Sequence, residues 1–292
     1  MLAIRSRHKL FNCDEYTLFF IRDNENYSKK GQKKGMEIKA IVTDLDNTLL
    51  RKDKSISEYT VKVLNECKER GIKLLFATAR PLHATYRIQE AVSPDYLISN
   101  NGAAVYCGDE IINKISIPAT TVKELMERLK HLPEAEIVMF EHRDGMICSD
   151  SELKLDGDWR IQYQDFDSYN FPDTSRISVF TKSIDVLREV VESFSGLYLC
   201  DSSENSWTQV LSEGVSKASG IEIVAEHLGI DMKEIMAFGD DYNDREMIAH
   251  CGIGIAMGNA IAEIKEKADF VCDTNEEDGV ATWIEERVFN RI

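Results

Sequence analysis

Two segments of the chain carry aspartates in patterns that could hold a divalent cation. Asp44 and Asp46 follow one short apolar run, and Asp240 follows another near the C-terminus. Two carboxylates two residues apart repel each other unless a cation or a proton lies between them. Three carboxylates that converge from different strands offer the hard oxygen ligands that Mg²⁺ prefers. The pattern therefore predicts a magnesium site, although aspartates also commonly cap turns.

Two further residues are candidates for binding an anion. Thr78 follows a third apolar run and offers a hydroxyl group and a backbone N–H close to a predicted helix start. Lys217 lies in the first turn of a predicted helix, where a cation opposes the helix dipole unless an anion is held nearby. Each also has an ordinary interpretation, a simple N-cap for Thr78 and a solvated surface side chain for Lys217.

Taken together, these residue types suit phosphoryl transfer. A carboxylate nucleophile can attack phosphorus and form an aspartyl-phosphate, and Mg²⁺ offsets the repulsion between the two anions. Lys217 and Thr78 can hold the remaining phosphoryl oxygens. A second carboxylate two residues further on can protonate the leaving alcohol and then activate water.

The elements that must position these groups alternate between strand and helix. Strands are predicted at residues 38–42, 72–77, 235–238, 252–256 and 269–272. Helices are predicted at 57–70, 216–228, 242–250 and 259–267. This alternation favours a doubly wound α/β fold with a parallel sheet. Ligands of such sheets bind beyond the carboxyl ends of the strands, which is where the candidate residues lie.

The middle of the chain, residues 118–208, follows another pattern. A helix is predicted around residues 122–129, a hairpin over 137–148, and further strands at 177–180, 197–200 and 207–211, with a helix at 183–194. This reads as an α+β insertion between the two parts of the parallel-sheet domain, 36–117 and 209–292. Trp159 and Trp207 fall in this insertion. They are candidates for lining the cap, although packing in a core or on the surface is the default expectation for a tryptophan.

Composition limits the possible partners and compartments. The 292 residues carry 35 Lys+Arg and 51 Asp+Glu, a net charge of −16, which opposes binding to nucleic acid or to anionic membranes. The seven cysteines are scattered without a C-x-x-C pair, so neither a disulfide framework nor a zinc finger is expected. No apolar run approaches the roughly 20 residues of a membrane span, and no signal-peptide pattern is visible. The chain is therefore expected to be cytoplasmic.

The first 35 residues differ from the rest, with 8 Lys+Arg against 4 Asp+Glu, a net of +4. The remaining residues therefore carry −20. A basic binding arm is one interpretation. The simpler interpretation is a poorly packed or disordered extension, or a start assigned too far upstream, with Met36 as the true first residue.

Four motifs in this order resemble those of the haloacid dehalogenase (HAD) superfamily. They are DLDNTL at 44–49, TAR at 78–80, Lys217, and GDDYND at 239–244. Residues 99–103, 214–217 and 256–260 narrow the resemblance to the Cof-type, class IIB phosphatases, over roughly residues 36–292. The resemblance implies a HAD-like, Rossmann-like core with an inserted C2-type cap at 118–208 that covers the site and selects the substrate.

The resemblance also implies a role for each site residue. Asp44 is the nucleophile and a Mg²⁺ ligand, Asp46 is the general acid/base and contributes its backbone carbonyl to the metal, and Asp240 is the third ligand. Asp244 supports the metal site from behind. The positions expected to contact phosphate are Thr78, Ala79, Lys217 and Asn243.

Two positions depart from the family pattern. Asn47 and Ala79 each stand where the family commonly has glycine. Asn tolerates unusual backbone angles better than most residues, so the turn at Asn47 should form. Neither change removes a chemical group that the mechanism needs.

The predicted function is a Mg²⁺-dependent phosphatase of small phosphorylated metabolites, such as sugar phosphates, acting as a monomer or a small homo-oligomer. A phosphotransferase or phosphomutase on the same fold is an alternative. A receiver-like signalling module is a second one, but receivers lack a cap, whereas here an insertion of about 90 residues, 118–208, separates the two parts of the core.

Overall fold

The computed structural model describes residues 37–142, 145–155, 159–200, 203 and 207–289. The predicted extension at 1–35 and Met36 lie outside the described residues. The described elements form two separate β-sheets with helices packed against them.

The larger sheet has eight strands in the order β14-β13-β12-β1-β2-β3-β4-β5. Neighbours from β14 to β3 pair in parallel, and β3, β4 and β5 pair antiparallel. The strands are β1 (Ala40–Thr43), β2 (Lys73–Ala77), β3 (Tyr96–Ser99), β4 (Ala104–Cys107), β5 (Glu110–Lys114), β12 (Ile235–Gly239), β13 (Ile253–Ala256) and β14 (Phe270–Val271). The predicted α/β fold with a parallel sheet is confirmed.

Six helices accompany this sheet: α1 (Glu58–Glu69), α2 (Tyr86–Ala91), α5 (Lys217–Leu228), α6 (Arg245–His250), α7 (Ala262–Lys267) and α8 (Gly279–Arg287). Helix α1 shows why the local sequence forms a helix. The Ser57 hydroxyl accepts a hydrogen bond from the Thr60 N–H at 3.0 Å, and Val63, Leu64 and Cys67 are buried on one face. Such an N-cap contributes about 1 kcal/mol, while the buried stripe fixes which face packs on the sheet.

Several elements differ from the sequence prediction. Strands β3, β4 and β5 and helix α8 were not predicted. Strand β5 is largely exposed and mixes polar with apolar residues, so it lacks the continuous apolar run of a strand buried on both faces. The predicted helix at 242–250 is divided into a 3₁₀ turn, Tyr242–Asp244, and α6. That turn places two polar side chains of the fourth motif at the sheet edge.

The smaller sheet has six strands in the order β10-β11-β9-β6-β7-β8. They are β6 (Ala135–His142), β7 (Gly145–Cys148), β8 (Ile161–Tyr163), β9 (Ile177–Thr181), β10 (Leu197–Cys200) and β11 (Trp207–Ser212), with helices α3 (Ala119–Lys130) and α4 (Ile184–Glu192). Strands β6 and β7 form an antiparallel pair, as the hairpin prediction requires. All of these elements fall within the predicted insertion except the end of β11, which runs past residue 208. The exact domain limits stay a prediction.

The two faces of the smaller sheet pack against different groups. Along β6, Val138 and Phe140 belong to the cluster that includes buried residues of α3 and α4. Ile137 and Met139 belong to a second cluster, which contains both Trp159 and Trp207. Successive side chains of a strand point to opposite faces, so one face of this sheet packs against the helices and the other packs in the cluster that contains both tryptophans.

No helix in the described ranges is long and apolar enough to cross a bilayer. The six cysteines within those ranges are free thiols, which agrees with the expected lack of a disulfide framework there.

Candidate active site

The aspartates of the first and fourth motifs lie side by side because their strands are parallel neighbours. Thr43, at the end of β1, is in register with Phe238 of β12, and the Asp44 N–H donates to the Phe238 carbonyl at 3.0 Å. Carboxylate oxygens of Asp44, Asp240 and Asp244 all lie within 4.8 Å of one another, and the three residues are buried. The structure thus brings together the acidic groups that the sequence places far apart.

Lys217 lies behind these carboxylates rather than on the surface. Its Nζ donates to Asp44 Oδ1 at 2.7 Å and to Asp244 Oδ1 at 2.6 Å, and the residue is 1% exposed. Burial alone would lower the pKa of Lys217, but the charges and hydrogen bonds of Asp244 and Asp44 raise it well above its usual range. The interpretation of Lys217 as a solvated surface residue is therefore wrong.

The start of α5 is built to place Lys217 there. Ser216 caps the helix, because its Oγ accepts a hydrogen bond from the Ser219 N–H at 3.2 Å, and Ser219 Oγ accepts one from the Ser216 N–H at 2.9 Å. Gly102 packs against this cap with a φ of +103°, and a Cβ there would lie 2.0 Å from the Ser216 carbonyl oxygen. Only glycine allows this approach, so the turn after β3 and the first turn of α5 are fixed against each other.

Asp244 holds the loop that follows β12. Its Oδ2 accepts hydrogen bonds from the N–H groups of Asp240, at 2.8 Å, and Asp241, at 3.1 Å. A Cβ on Gly239 would lie 2.6 Å from Asp244 Cβ and Cγ, so a side chain there would displace this carboxylate. Asp244 therefore contacts backbone and Lys217, and its role in supporting a metal site stays a prediction.

Negative charge exceeds positive charge in this cluster, which contains three carboxylates and one ammonium group. Burial, together with the neighbouring carboxylates, raises the pKa of Asp44 to about 7 and that of Asp240 to about 8. The Thr48 hydroxyl donates to Asp240 Oδ1 at 2.7 Å, which offsets only part of this effect. A divalent cation with oxygen ligands would balance the remaining charge, so the residues present fit Mg²⁺.

Asp46 lies beside this cluster but its carboxylate faces away. Arg80 binds it in a bidentate manner, with Nε to Oδ2 and Nη2 to Oδ1 both at 2.7 Å, and Lys54 Nζ lies 2.7 Å from Oδ1. Burial alone would raise the pKa of Asp46, but these two cations hold it at about 2. The next residue, Asn47, has a φ of +58°, and this agrees with the expectation that Asn supports the turn.

Two of the predicted phosphate-contacting residues, Thr78 and Asn243, are connected through Asn101. Thr78 Oγ1 accepts from the Arg80 N–H at 3.1 Å, and the Thr78 carbonyl accepts from the Asn101 N–H at 2.9 Å. Asn243 Nδ2 donates to Asn101 Oδ1 at 3.0 Å, and Asn101 Nδ2 donates to Gln209 Oε1 at 3.0 Å. Asn101 therefore joins the core to the smaller sheet.

Neither Asn101 nor Arg80 was assigned a site role from the sequence. The signal for Asn101 was a pair of asparagines before Gly102, which is typical of a turn with positive φ, and Asn101 has a φ of +55°.

A cavity of about 820 Å³ lies between the two sheets. We call the lining from the larger sheet and its loops the floor, and it comprises Asp44, Asp46, Asn47, Lys54, Thr78, Ala79, Arg80, Asn101, Asp240, Asp241 and Asn243. We call the apolar lining from the smaller sheet the roof, and it comprises Ile137, Leu153, Leu155, Trp159, Phe180 and Trp207. Lys217 does not line the cavity. Trp159 and Trp207 pack against the cluster on this face of the smaller sheet, as the default expectation holds, and both also line the cavity.

A buried arginine joins the roof to the floor. Arg176 is 1% exposed, donates through Nη1 to the Ala79 carbonyl, and lies with its guanidinium 5.6 Å from the centre of the Trp159 ring. Burial lowers the pKa of Arg176 to about 10, although the charge of Glu141 opposes the shift. Nothing in the sequence pattern around residue 176 indicated this role.

The family model for haloacid dehalogenase-like hydrolases matches residues 41–284. The chain belongs to this family. It is 31% identical over 267 residues to the putative phosphatase YkrA of Bacillus subtilis, covering 86% of this chain and 98% of the relative. It is 29% identical over 259 residues to the 5-amino-6-(5-phospho-D-ribitylamino)uracil phosphatase YcsE of the same organism, covering 87% and 97%.

Solved structures show the same relationship. The HAD subclass IIB sugar phosphatase BT4131 superposes with a TM-score of 0.75 and 27% identity, over 85% of this chain and 98% of that one. The resemblance to Cof-type, class IIB phosphatases is thus confirmed. This haloacid dehalogenase-like hydrolase is a phosphatase of small phosphorylated substrates, so a receiver-like signalling module is set aside.

Proposed function

We propose that the chain is a Mg²⁺-dependent phosphomonoesterase that transfers the phosphoryl group of its substrate to Asp44 and then to water. The observation that carries this proposal is the position of Asp44. Its carboxylate lies on the cavity floor, beside Asp240 and within hydrogen-bond distance of Lys217. A buried carboxylate next to a fixed ammonium group is positioned to act as a nucleophile toward phosphorus.

Mg²⁺ would be held by Asp44, Asp240 and the backbone carbonyl of Asp46. When bound, it supplies positive charge that allows the carboxylates to stay ionised next to an anionic phosphate. Asp244 and Lys217 keep the two carboxylate ligands in place. Thr78, the Ala79 N–H and Asn243 lie on the same floor and hold the phosphoryl oxygens, with Lys217 stabilising charge from behind Asp44.

In the proposed first step, a carboxylate oxygen of Asp44 forms a bond to phosphorus while the bond from phosphorus to the ester oxygen breaks. Asp46 gives a proton to the leaving alcohol and later takes one from water, which cleaves the aspartyl-phosphate. Asp46 must be protonated for the first role, yet Arg80 and Lys54 hold it ionised in this structure. Substrate binding therefore has to replace those contacts.

The substrate is taken to be a small phosphorylated metabolite, and the leaving group is its dephosphorylated alcohol. One relative is named for a uracil derivative and one solved neighbour is named a sugar phosphatase. These names cover chemically different leaving groups, so the sugar phosphate expected from the resemblance stays a prediction.

Hydrolysis of p-nitrophenyl phosphate tests the proposed function. The purified chain should release p-nitrophenol with Mg²⁺, lose this activity with EDTA and regain it when excess Mg²⁺ is added. Asp44→Asn should lose activity by roughly 10³-fold or more, as the loss of a nucleophile does elsewhere. Asp109→Asn, an exposed position in the turn after β4, is the matched control and should stay active. Full activity in Asp44→Asn would overturn the nucleophile assignment.

A further inference from the structure

The roof presents aromatic and aliphatic carbon to the cavity. The smaller sheet and its loops contribute these six apolar or aromatic side chains and, beside them, Cys200, Ser203, Thr208 and Gln209. The floor contributes mostly charged and polar groups. A phosphate group on the floor directs the rest of the ester toward the roof. The roof therefore determines which leaving groups bind well.

The two roof tryptophans are held in place by their neighbours. Trp207 packs against Phe180 with ring centres 6.0 Å apart and an interplanar angle of 47°. Trp159 lies against the Arg176 guanidinium, and its carbonyl oxygen is 2.9 Å from His83 Nε2. Aromatic side chains that are already ordered lose little further entropy when a ligand contacts them.

Polar side chains of the smaller sheet that line the cavity are mostly engaged within the protein. Thr208 Oγ1 donates to the Cys200 carbonyl at 2.9 Å, and Gln209 Oε1 accepts from Asn101. Within the described ranges, Gln209 Nε2 has no hydrogen-bond partner, so it is a donor that a ligand can use. Where a sugar contacts the six roof side chains, its hydroxyl groups would exchange water for carbon, which is unfavourable.

We propose that this cavity selects phosphate esters whose leaving group carries a flat aromatic or heteroaromatic ring that contacts Trp159 and Trp207. A hydrogen-bond acceptor on that ring would be bound by Gln209 Nε2. The inference rests on the proposed function, because the ester phosphorus must lie at Asp44. It replaces the sugar phosphate expected from the sequence with a different substrate class.

Two matched substrate pairs test the proposal, and each pair keeps a primary phosphate ester. Pyridoxine 5′-phosphate against glucose 6-phosphate compares a heteroaromatic ring with a sugar. Benzyl phosphate against cyclohexylmethyl phosphate compares a flat ring with an apolar ring that is not flat. In both pairs kcat/KM should be at least about tenfold higher for the aromatic ester, since stacking on one aromatic side chain commonly contributes that much.

Substitutions then locate the preference. Trp159→Leu and Trp207→Leu keep an apolar side chain but remove the ring, and each should reduce the benzyl to cyclohexylmethyl ratio by roughly tenfold, chiefly through KM. Tyr163→Leu is the matched control, because Tyr163 is a 53% exposed aromatic residue of β8 that does not line the cavity. Its ratios should equal those of the wild type.

The wild-type ratios are decisive even if a tryptophan variant fails to fold. If glucose 6-phosphate is hydrolysed as well as or better than pyridoxine 5′-phosphate, the inference is wrong while the proposed function stands. Equal rates for benzyl and cyclohexylmethyl phosphate would show a merely apolar pocket and would also overturn it. Hydrolysis of none of the four esters or of p-nitrophenyl phosphate would overturn both the inference and the proposed function.

Discussion

The floor and the roof of the cavity hold their side chains by different forces. Floor residues are fixed by charge and by short hydrogen bonds, such as Lys217 to Asp44 and Asp244 to the Asp240 N–H. Roof residues are fixed by packing of rings and aliphatic side chains. In the proposed function this difference separates two tasks, because the floor would act on the phosphate that every substrate shares and the roof would contact the part that varies.

The two buried cations show the same contrast. Lys217 contacts two carboxylates, and its pKa is raised well above the usual range. Arg176 contacts a carbonyl oxygen, a thioether sulfur and a ring, and its pKa is lowered to about 10. Removing one member of a buried ion pair destabilises the folded state, because the other charge stays buried without a partner. A buried charge that has no carboxylate partner itself destabilises the folded state, because it has lost its hydration.

The largest expected effect is on kcat, and it distinguishes floor residues that act in catalysis from those that bind the metal. Asp46→Asn should lower kcat by roughly 10²- to 10⁴-fold, as the loss of a general acid/base does, for every ester alike. Its Mg²⁺ activation constant should change little, because its carboxylate faces Arg80 and only its backbone is a proposed ligand. The matched variant is Asp240→Asn, which should weaken Mg²⁺ activation strongly. Equal effects of the two variants on Mg²⁺ activation would contradict this division.

Lys217→Met should come next in size. Removing the ammonium group should reduce kcat by roughly 10²- to 10³-fold. It should also destabilise the metal-free protein by about 3–5 kcal/mol, because buried carboxylates lose their partner. Thermal and denaturant unfolding measure the second effect. Lys62→Met, at an exposed position of α1, is the control, and a similar small change in both variants would refute the account of Lys217.

The stabilisation of the protein by Mg²⁺ should depend on pH, because Mg²⁺ and protons compete for the floor carboxylates. In the metal-free protein the pKa values of Asp44 and Asp240 are raised to about 7 and about 8. The folded state therefore binds more protons than the unfolded chain between about pH 4 and pH 8, so these groups reduce stability as pH rises through that window. Mg²⁺ binds the ionised carboxylates, so its increase of Tm should be larger at about pH 8 than at about pH 6. Asp240→Asn should flatten this dependence, and an increase in Tm that is independent of pH would argue against it.

Arg176→Met should have the smallest effect on stability. It removes a desolvated cation that contacts no carboxylate among the described residues, so the change in unfolding free energy should be within about 2 kcal/mol and of either sign. Comparison with Lys217→Met under metal-free conditions is the test. If Arg176→Met destabilises the protein as much as Lys217→Met does, the contrast between the two cations is wrong.

Much of the floor could be predicted because several of its groups lie directly after a short apolar run. Asp44, Thr78 and Asp240 follow β1, β2 and β12, and parallel pairing brings the ends of those strands together. The ion pair between Asp46 and Arg80 could not be predicted from the sequence. Both residues belong to the recognised motifs, but their contact depends on the direction of their side chains. The burial of Lys217 was equally hidden, because a lysine at a helix start is usually solvated.

The roof could not be predicted for a physical reason. Ile137, Trp159, Phe180 and Trp207 are distant in sequence and meet only because the smaller sheet has the order β10-β11-β9-β6-β7-β8. The alternation of side chains along β6 indicates that the strand has two buried faces, but it does not indicate which face lines the cavity. Long-range strand order, rather than local pattern, therefore decides the substrate side of the site.

Trapping the phosphorylated enzyme tests the central claim most directly. Asp46→Asn protein mixed with Mg²⁺ and p-nitrophenyl phosphate, quenched in acid and digested, should carry one added phosphoryl group on the peptide that contains Asp44, because the step that needs Asp46 to activate water is slowed. The wild type should show less of this species. A phosphoryl group on another residue, or hydrolysis with no modification of Asp44 in either protein, would contradict the account.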